Sequence, residues 1–186
     1  MLLIFLLLVC WSAASSAGYV GLRDGKINFV TEETYQFARG LSWCRELGGE
    51  GLSHVTREDL SHLSGIYQSV PQNFRRSPTF WVNAVYQTHA DHAQDGYYWR
   101  GSEDRVDDSL WGPHEPSCRT SSSCAVAFGN IEGELMLYAE AQNRKKRAFC
   151  VFDTRSSSSM KQLRDNLDLV FSKEDRTGLR AILDSL

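Results

Sequence analysis

Trp43-Cys44-Arg45-Glu46-Leu47-Gly48-Gly49 is the stretch that most clearly indicates the fold of this chain. Its paired glycines are typical of a helix C-terminus, and its cysteine has a counterpart in the apolar stretch Phe149-Cys150-Val151-Phe152. Two landmarks lie between these stretches: Phe80-Trp81-Val82 and Leu110-Trp111-Gly112-Pro113-His114-Glu115-Pro116-Ser117, which Cys124-Ala125-Val126 follows. The prediction depends on the order and spacing of these motifs rather than on any single one.

Two helices are predicted in the first part of the chain. Thr31 is expected to cap a helix from about residue 32 to residue 47. A second helix is predicted to begin at Thr56, with Asp59 as its capping partner. The residues expected on its buried face are Leu60, Leu63 and Tyr67.

From Phe80 onward, short apolar runs alternate with turn-rich segments, as is typical of strands. Strands are predicted at residues 27–30, 80–86, 97–100, 124–128, 134–138 and 148–152. Helices followed by strands indicate an α+β domain. The polar stretch from residue 101 to residue 123 is expected to be a long ordered loop, and such loops often carry function.

In this order the motifs resemble a C-type lectin-like domain, from about Ile27 to Phe152. The resemblance implies two helices, short antiparallel sheets and a long irregular loop that binds the ligand. The contacts expected in that loop are Trp111, His114, Glu115 and Ser117. Trp111 has a second interpretation as a core aromatic residue.

The resemblance also raises the question of calcium. Sugar-binding members of the family hold calcium with Glu-Pro-Asn or Gln-Pro-Asp and a later Trp-Asn-Asp. Here the first triplet is Glu115-Pro116-Ser117, and the second falls near Leu137-Tyr138-Ala139, which has no carboxylate. Calcium takes about 6 to 8 oxygen ligands, so no cofactor is expected. An altered calcium site remains the alternative, with the candidate ligands Asp104, Asp107, Asp108 and Glu115.

The N-terminus has the pattern of a secretory signal peptide at residues 1–17, an apolar run followed by small residues up to Ala17. The run is well short of the roughly 20 residues that span a bilayer. We therefore expect a secreted, extracellular protein without stable membrane insertion.

Removal of the signal peptide takes Cys10 with it and leaves an even set of cysteines, which predicts two disulfides in an oxidising compartment. Spacing alone leaves the pairing open. The resemblance implies Cys44 with Cys150, which leaves Cys118 for Cys124. In the family, the counterpart of Cys124 usually bonds to a cysteine near the position of Gln142.

Charge and motifs narrow the function classes. A net charge of -3 gives no general attraction to nucleic acid. No nucleophile with a positioned base, Gly-x-Ser-x-Gly elbow or phosphate loop occurs, so no enzyme is predicted.

The run Arg144-Lys145-Lys146-Arg147 is interpreted as an exposed hairpin turn, with polyanion binding and proteolytic processing as alternatives. The cluster His89, Asp91, His92 and Asp95 is interpreted as a polar turn, because His-x-x-His alone is weak evidence for zinc.

The domain organisation predicted for the rest of the chain is a C-type lectin-like domain at 18–153, a Ser-rich linker at 154–159 and an amphipathic helical tail at 160–186. Apolar residues recur in the tail at heptad-like spacing: Met160, Leu163, Leu167 and Val170. Packing on the protein's own domain and self-association are both open interpretations.

The leading hypothesis is an innate recognition protein that binds a protein, lipid or surface glycan without a calcium-bridged sugar contact. One alternative is a calcium-dependent carbohydrate-binding lectin with an altered site. A second alternative is an oligomeric structural or interaction protein organised by the C-terminal helix.

Overall fold

A computed structural model describes residues 20–23, 25–69, 79–88, 94–118, 123–131, 134–170, 180 and 183. The predicted signal peptide lies outside these residues. The helices are α1 (Phe37–Glu46), α2 (Arg57–Ser69) and α3 (Ser157–Val170). The strands are β1 (Val20–Arg23), β2 (Lys26–Tyr35), β3 (Glu50–Gly51), β4 (Phe80–Gln87), β5 (Gly96–Trp99), β6 (Cys124–Ile131), β7 (Glu134–Ala141) and β8 (Lys146–Asp153).

The strands form one mixed sheet in the order β1-β2-β8-β4-β6-β7, with β3 paired to β8 and β5 paired to β4. All neighbours are antiparallel except β4 and β8, which run parallel at Phe80–Trp81. Trp81 is fully buried at this crossing, and its indole N–H donates a hydrogen bond of 2.8 Å to the carbonyl of Tyr35. The architecture confirms the predicted α+β class.

The first helix begins later than predicted. β2 continues through Tyr35, and α1 starts only at Phe37. Thr31 lies at an irregularity in the pairing of β2 with β8, where its hydroxyl accepts a hydrogen bond of 2.9 Å from the N–H of Ala148. The cap assigned to Thr31 is therefore wrong, because its side chain replaces a missing ladder bond instead.

The start of the second helix is confirmed. The N–H and hydroxyl of Thr56 donate to the Asp59 carboxylate at 2.8 and 2.7 Å, and the N–H of Asp59 donates to the Thr56 hydroxyl at 3.2 Å. These reciprocal bonds form a capping box. Leu60 and Leu63 are buried as expected, while the side chain of Tyr67 lies outside the described part.

The C-terminal helix α3 packs on the domain. It begins at Ser157, inside the stretch 154–159 predicted as a linker, so the connection from β8 is shorter than expected. Met160 and Leu163 are buried against Ile27 and Phe152, and Leu183 joins the same cluster. The helix starts early because the Ser156 hydroxyl accepts a hydrogen bond of 3.3 Å from the Ser159 N–H, as a helix N-cap does. The side chains of Leu167 and Val170 lie outside the described part.

Polar side chains of α3 also close the end of α1. The amide of Gln162 donates to the carbonyl of Glu46 at 3.0 Å, and the amide of Asn166 reaches the same carbonyl at 3.4 Å. The last carbonyls of a helix have no partner within it, so α3 satisfies acceptors of α1. A buried disulfide between Cys44 and Cys150 joins α1 to β8 on the same side.

Within the described residues, no helix combines the length and apolar character required to cross a bilayer.

Candidate functional site

The long loop is held against β5 and β7 by backbone hydrogen bonds. The N–H of Val106 donates to the Tyr97 carbonyl at 2.9 Å, and the N–H of Gly112 donates to the Leu137 carbonyl at 2.9 Å. Val106 and Leu110, which belong to the loop, are themselves buried. These contacts give the segment a fixed conformation although it contains little regular structure.

Glu115 fastens the outer part of this loop to the sheet. One carboxylate oxygen accepts hydrogen bonds from the N–H of Ser117 at 2.7 Å and the N–H of Ala139 at 2.9 Å. The other accepts from the Ser117 hydroxyl at 3.0 Å. Ala139 stands near the position where the family resemblance would place a calcium-binding aspartate. Both oxygens of Glu115 are therefore engaged by the chain itself. The bond between Glu115 and Pro116 is cis.

The three candidate aspartates of the loop have separate partners. These are the Ser102 hydroxyl for Asp104, the Ser109 N–H for Asp107 and the Arg105 guanidinium for Asp108. Among the residues that the structure describes, no group of three or more His, Cys, Asp or Glu side chains is arranged to hold a metal ion. The altered calcium site stays a prediction.

Asp107 caps a 3₁₀ turn, Asp108–Leu110, in the loop. Its carboxylate accepts a hydrogen bond of 2.7 Å from the Ser109 N–H. This backbone hydrogen bond holds the pKa of Asp107 below its ordinary value, because the bond favours the charged form. The cap directs Leu110 into the core.

A groove of about 420 Å³ lies beneath the loop. Three aromatic residues line it: Tyr86 from β4, Tyr97 from β5 and Trp111 from the loop. The charged residues that line it are Asp95, Arg105, Asp108 and Glu115. The groove thus combines aromatic and charged side chains, and small-ligand sites commonly set a few polar groups among apolar and aromatic ones.

The aromatic rings are inclined to one another. The ring centroids of Tyr86 and Tyr97 lie 5.3 Å apart at an interplanar angle of 72°, and those of Tyr97 and Trp111 lie 5.0 Å apart at 59°. Tyr97 is only 3% exposed, and its hydroxyl donates to the carbonyl of Cys118. Of the three aromatic residues that line the groove, Tyr97 is buried, whereas Tyr86 and Trp111 are partly exposed.

Arg105 is positioned by the backbone beneath it. The backbone of Arg105 forms a β-bridge with Tyr98. A Cβ added to Gly96 would lie 3.3 Å from the Arg105 Nε. The guanidinium lies 3.6 Å from the Asp108 carboxylate. A glycine at position 96 lets the guanidinium approach the strand closely.

The structure brings together some of the predicted contact residues and separates others. Trp111 and Glu115 line the groove, and so does Asp108. Trp111 also packs against the main core cluster, as its second interpretation expects, and its role as a ligand contact stays a prediction. His114 and Ser117 are exposed and do not line the groove.

Sequence reasoning missed Tyr86, Tyr97 and Arg105. The aromatic run Tyr97-Tyr98-Trp99 was available as a signal of a ring-lined strand. Asp95, which the sequence placed in a polar turn, also lines the groove, while His89, Asp91 and His92 lie outside the described residues.

The basic run does not form one cationic patch. The side chain of Lys146 is buried, with its Nζ 5.5 Å from the Trp81 ring centroid, 5.0 Å from the Tyr138 ring centroid and 3.4 Å from the Glu140 carboxylate. Arg147 lies within β8, paired on both sides. The predicted patch therefore loses Lys146, because a desolvated ammonium is stabilised by ring faces and a carboxylate. Arg144 and Lys145 remain exposed.

The second disulfide lies at the end of the long loop. Cys118 is bonded to Cys124, the first residue of β6, with a separation of 6 residues. Gln142, near the position of the family's usual partner cysteine, donates a side-chain hydrogen bond of 3.4 Å to the Cys124 carbonyl. The structure therefore contains the pairing by which this chain departs from the family.

No protein-family model and no curated protein matches this sequence. Solved structures do match the fold. A Ca²⁺-dependent type II antifreeze protein in its Ca²⁺-free form superposes with a TM-score of 0.54 at 13% identity, over 71% of this chain and 95% of that one. Human lithostathine gives 0.56 at 13% identity, over 72% and 88%. The Ca²⁺-independent C-type lectin SPL-2 from Saxidomus purpuratus gives 0.57 at 14% identity, over 74% and 93%.

At these identities the matches establish the fold and leave the ligand open. The sequence motifs, the disulfide between α1 and β8 and the loop fastened to β7 agree with them. The chain has the C-type lectin-like fold.

Proposed function

We propose that this chain is a secreted recognition protein, not an enzyme, which binds an extracellular ligand through the groove beneath its long loop. The contact is made without a calcium-bridged sugar. One observation carries the proposal: both carboxylate oxygens of Glu115 accept hydrogen bonds from Ser117 and Ala139. Three of the roughly four lone-pair sites of this carboxylate are used within the chain, which leaves it little capacity for calcium, an ion that takes about 6 to 8 oxygen ligands.

The groove supports the choice of ligand surface. It is concave and lined by side chains from two strands and the loop, which are held in place by backbone hydrogen bonds. Preformed geometry lowers the entropic cost of binding. One solved neighbour is described as a Ca²⁺-independent C-type lectin, so the fold accommodates recognition of this kind.

Other observations weigh on the remaining hypotheses. The tail residues Met160 and Leu163 pack on the domain itself, which removes part of the stripe that self-association would use. Burial of Lys146 weakens the case for a polyanion site. Two disulfides favour an oxidising compartment.

Calorimetric titration of calcium into the mature, disulfide-intact protein tests the proposal. We expect no binding at millimolar concentration, and we expect ligands retained from an array of surface glycans and extracellular proteins to be insensitive to EDTA. Trp111→Ala should reduce that retention, while Lys145→Ala, at an exposed position outside the groove, should not. Calcium binding at millimolar affinity or tighter, with release from a sugar resin by EDTA, would contradict the proposal.

A further inference from the structure

The two disulfides differ in their access to solvent. Cys44 and Cys150 are both fully buried, in the apolar cluster that also contains Phe152. In the second disulfide Cys124 is fully buried, but Cys118 is partly exposed at the edge of the main core cluster. Thiol–disulfide exchange begins when a thiolate reaches one sulfur of the bond, so its rate depends on access. A reductant can therefore approach the second disulfide from the side of Cys118.

The two disulfides also differ in what they hold together. The bond between Cys44 and Cys150 joins α1 to β8 across a sequence separation of 106 residues, whereas the bond between Cys118 and Cys124 spans 6. In the chain-entropy model a cross-link stabilises the folded state more when it closes a longer loop. Strand β6, which begins at Cys124, is also paired with β4 and β7. Opening of the shorter bond should therefore leave the fold in place.

The shorter bond fixes the end of the long loop beside the groove. Pro116, which lines the groove, lies two residues before Cys118. The Cys118 carbonyl accepts a hydrogen bond from the hydroxyl of Tyr97, which lines the same groove. Just upstream, the Glu115 carboxylate is bonded to the Ala139 N–H. Opening the disulfide would remove the covalent attachment of the loop end and leave the part before it fastened to β7.

The contacts that would then remain to Cys118 are few. Among the described residues they are the hydrogen bond from Tyr97 and packing at the edge of the core cluster. A single hydrogen bond adds little net stability, because water offers the same groups alternative partners. The end of the loop should therefore become mobile when the disulfide opens.

We propose that the disulfide between Cys118 and Cys124 is a redox switch of the groove, which a dithiol opens in the folded protein. The attacking thiolate bonds to the Cys118 Sγ, and the electron pair of the disulfide leaves with the Cys124 Sγ, which takes up a proton. The second thiol attacks the reductant's own sulfur in the mixed disulfide and releases the Cys118 thiolate, which is protonated in turn. The reductant is thereby oxidised to its disulfide. The proposal rests on the function proposed above, because it concerns the regulation of that same groove.

The first experiment measures which disulfide a dithiol opens. The mature, folded protein is treated with dithiothreitol without denaturant, and samples are quenched with acid, unfolded, alkylated with N-ethylmaleimide and mapped by mass spectrometry. Label should appear at Cys118 and Cys124 at least about tenfold sooner than at the buried pair, because access limits the exchange. Equal rates, or earlier opening of the bond between Cys44 and Cys150, would overturn the proposal.

NMR relaxation of the ¹⁵N-labelled protein tests the effect on the loop. In the reduced protein the order parameter of the Cys118 amide should fall below about 0.6, while those of Gly112 and Ala139 stay near about 0.85, the value of rigid backbone. A Cys118 amide that stays rigid would show that the disulfide does not fix the loop end. Loss of order at Gly112 and Ala139 as well would show that reduction unfolds the loop as a whole, and it would also overturn the switch.

Binding is tested with the ligands retained from the array of surface glycans and extracellular proteins. Reduced protein, desalted to remove dithiothreitol, should be retained about threefold less or weaker still, since binding must order the loop end again. Retention should recover on reoxidation. The double variant Cys118→Ser with Cys124→Ser cannot form the bond, so it should bind like the reduced protein and be insensitive to dithiothreitol. Lys145→Ala, which keeps the disulfide, should respond as the unaltered chain does.

Failure of this inference is distinguishable from failure of the proposed function. Retention that is EDTA-insensitive and unchanged by reduction would refute the switch alone. Calcium-dependent retention, or no retained ligand, would refute the proposed function, and the reduction and relaxation measurements would still decide whether the disulfide controls the loop.

Discussion

The C-terminal helix α3 and the long loop both pack on one sheet, but the balance of forces that holds them differs. Met160 and Leu163 fix α3 by burial in an apolar cluster. The loop also buries Val106 and Leu110, and its path is set by hydrogen bonds between backbone groups and by those that the Glu115 carboxylate accepts. Apolar burial is insensitive to direction, whereas hydrogen bonds specify one conformation. The difference indicates that α3 contributes mainly stability and that the loop contributes the shape of the groove.

The largest effect is expected from Leu163→Ala in α3. Leu163 is fully buried, and truncation of a buried leucine costs about 2 to 5 kcal/mol through lost apolar contact and the remaining cavity. Chemical denaturation should show this loss in the free energy of unfolding. Lys161→Ala, at an exposed position of the same helix, is the control and should change stability by less than about 0.5 kcal/mol. Equal stability of the two variants would show that α3 does not pack on the domain.

A smaller loss of stability is expected from alanine substitutions at two glycines, Gly48 beside α3 and Gly101 in the loop. Gly48 and Gly101 have φ of +88° and +83°, but an added Cβ at Gly48 would lie 2.9 Å from the Gln162 Cβ of α3, whereas at Gly101 nothing lies within 4 Å. Gly101→Ala should therefore cost only the backbone strain, about 1 to 2 kcal/mol. Gly48→Ala should cost a further roughly 1 to 3 kcal/mol from overpacking.

The difference between the two glycine variants should disappear in a chain that ends at Ser156. That truncated chain must first be shown by circular dichroism to fold. A difference that persists after truncation would mean that contact with α3 does not cause it.

The sequence predicted elements that depend on local pattern and missed those that depend on tertiary pairing. The apolar runs from Phe80 to Phe152 indicated five of the described strands to within a few residues. A helix was predicted from about residue 32, yet this segment continues β2 because β8 offers it a partner. Lys146 was assigned to an exposed turn, since only the folded sheet places Trp81 and Tyr138 around its ammonium group.

The candidate site could be predicted only in part for the same reason. Trp111 and Glu115 were found because they belong to a motif within one loop. Tyr86, Tyr97 and Arg105 come from separate elements, and neither composition nor spacing reports that the folded chain brings them into one groove.

In the loop, Glu115→Gln should cost about 1 to 2 kcal/mol. The amide keeps one acceptor oxygen but loses the charge and the second acceptor, and hydrogen bonds to charged groups contribute roughly 1.5 to 3 kcal/mol before exposure is considered. Amide hydrogen exchange at Ala139 should accelerate, because its N–H donates to this carboxylate. Ser117→Ala, which removes only the bond from the hydroxyl, should have a smaller effect. Unchanged exchange at Ala139 in the Gln variant would show that Glu115 does not fasten the loop to β7.

The smallest effect concerns the pH dependence of the loop. Hydrogen bonding from Ser109 lowers the pKa of Asp107 in the folded protein. A depressed pKa stabilises the folded state above the ordinary value of about 3.9, and this stabilisation is lost as the pH falls through the lower folded value. Asp107→Asn keeps a good capping residue but cannot titrate, so its unfolding free energy should vary less with pH below about 4. NMR titration of the Asp107 carboxyl checks the premise directly: a pKa at or above the ordinary value would show that the cap does not favour the charged form. Glu115 and the backbone hydrogen bonds would then fasten the loop without help from the Asp107 cap. The stability of the loop would differ less in its pH dependence from the apolar packing of α3.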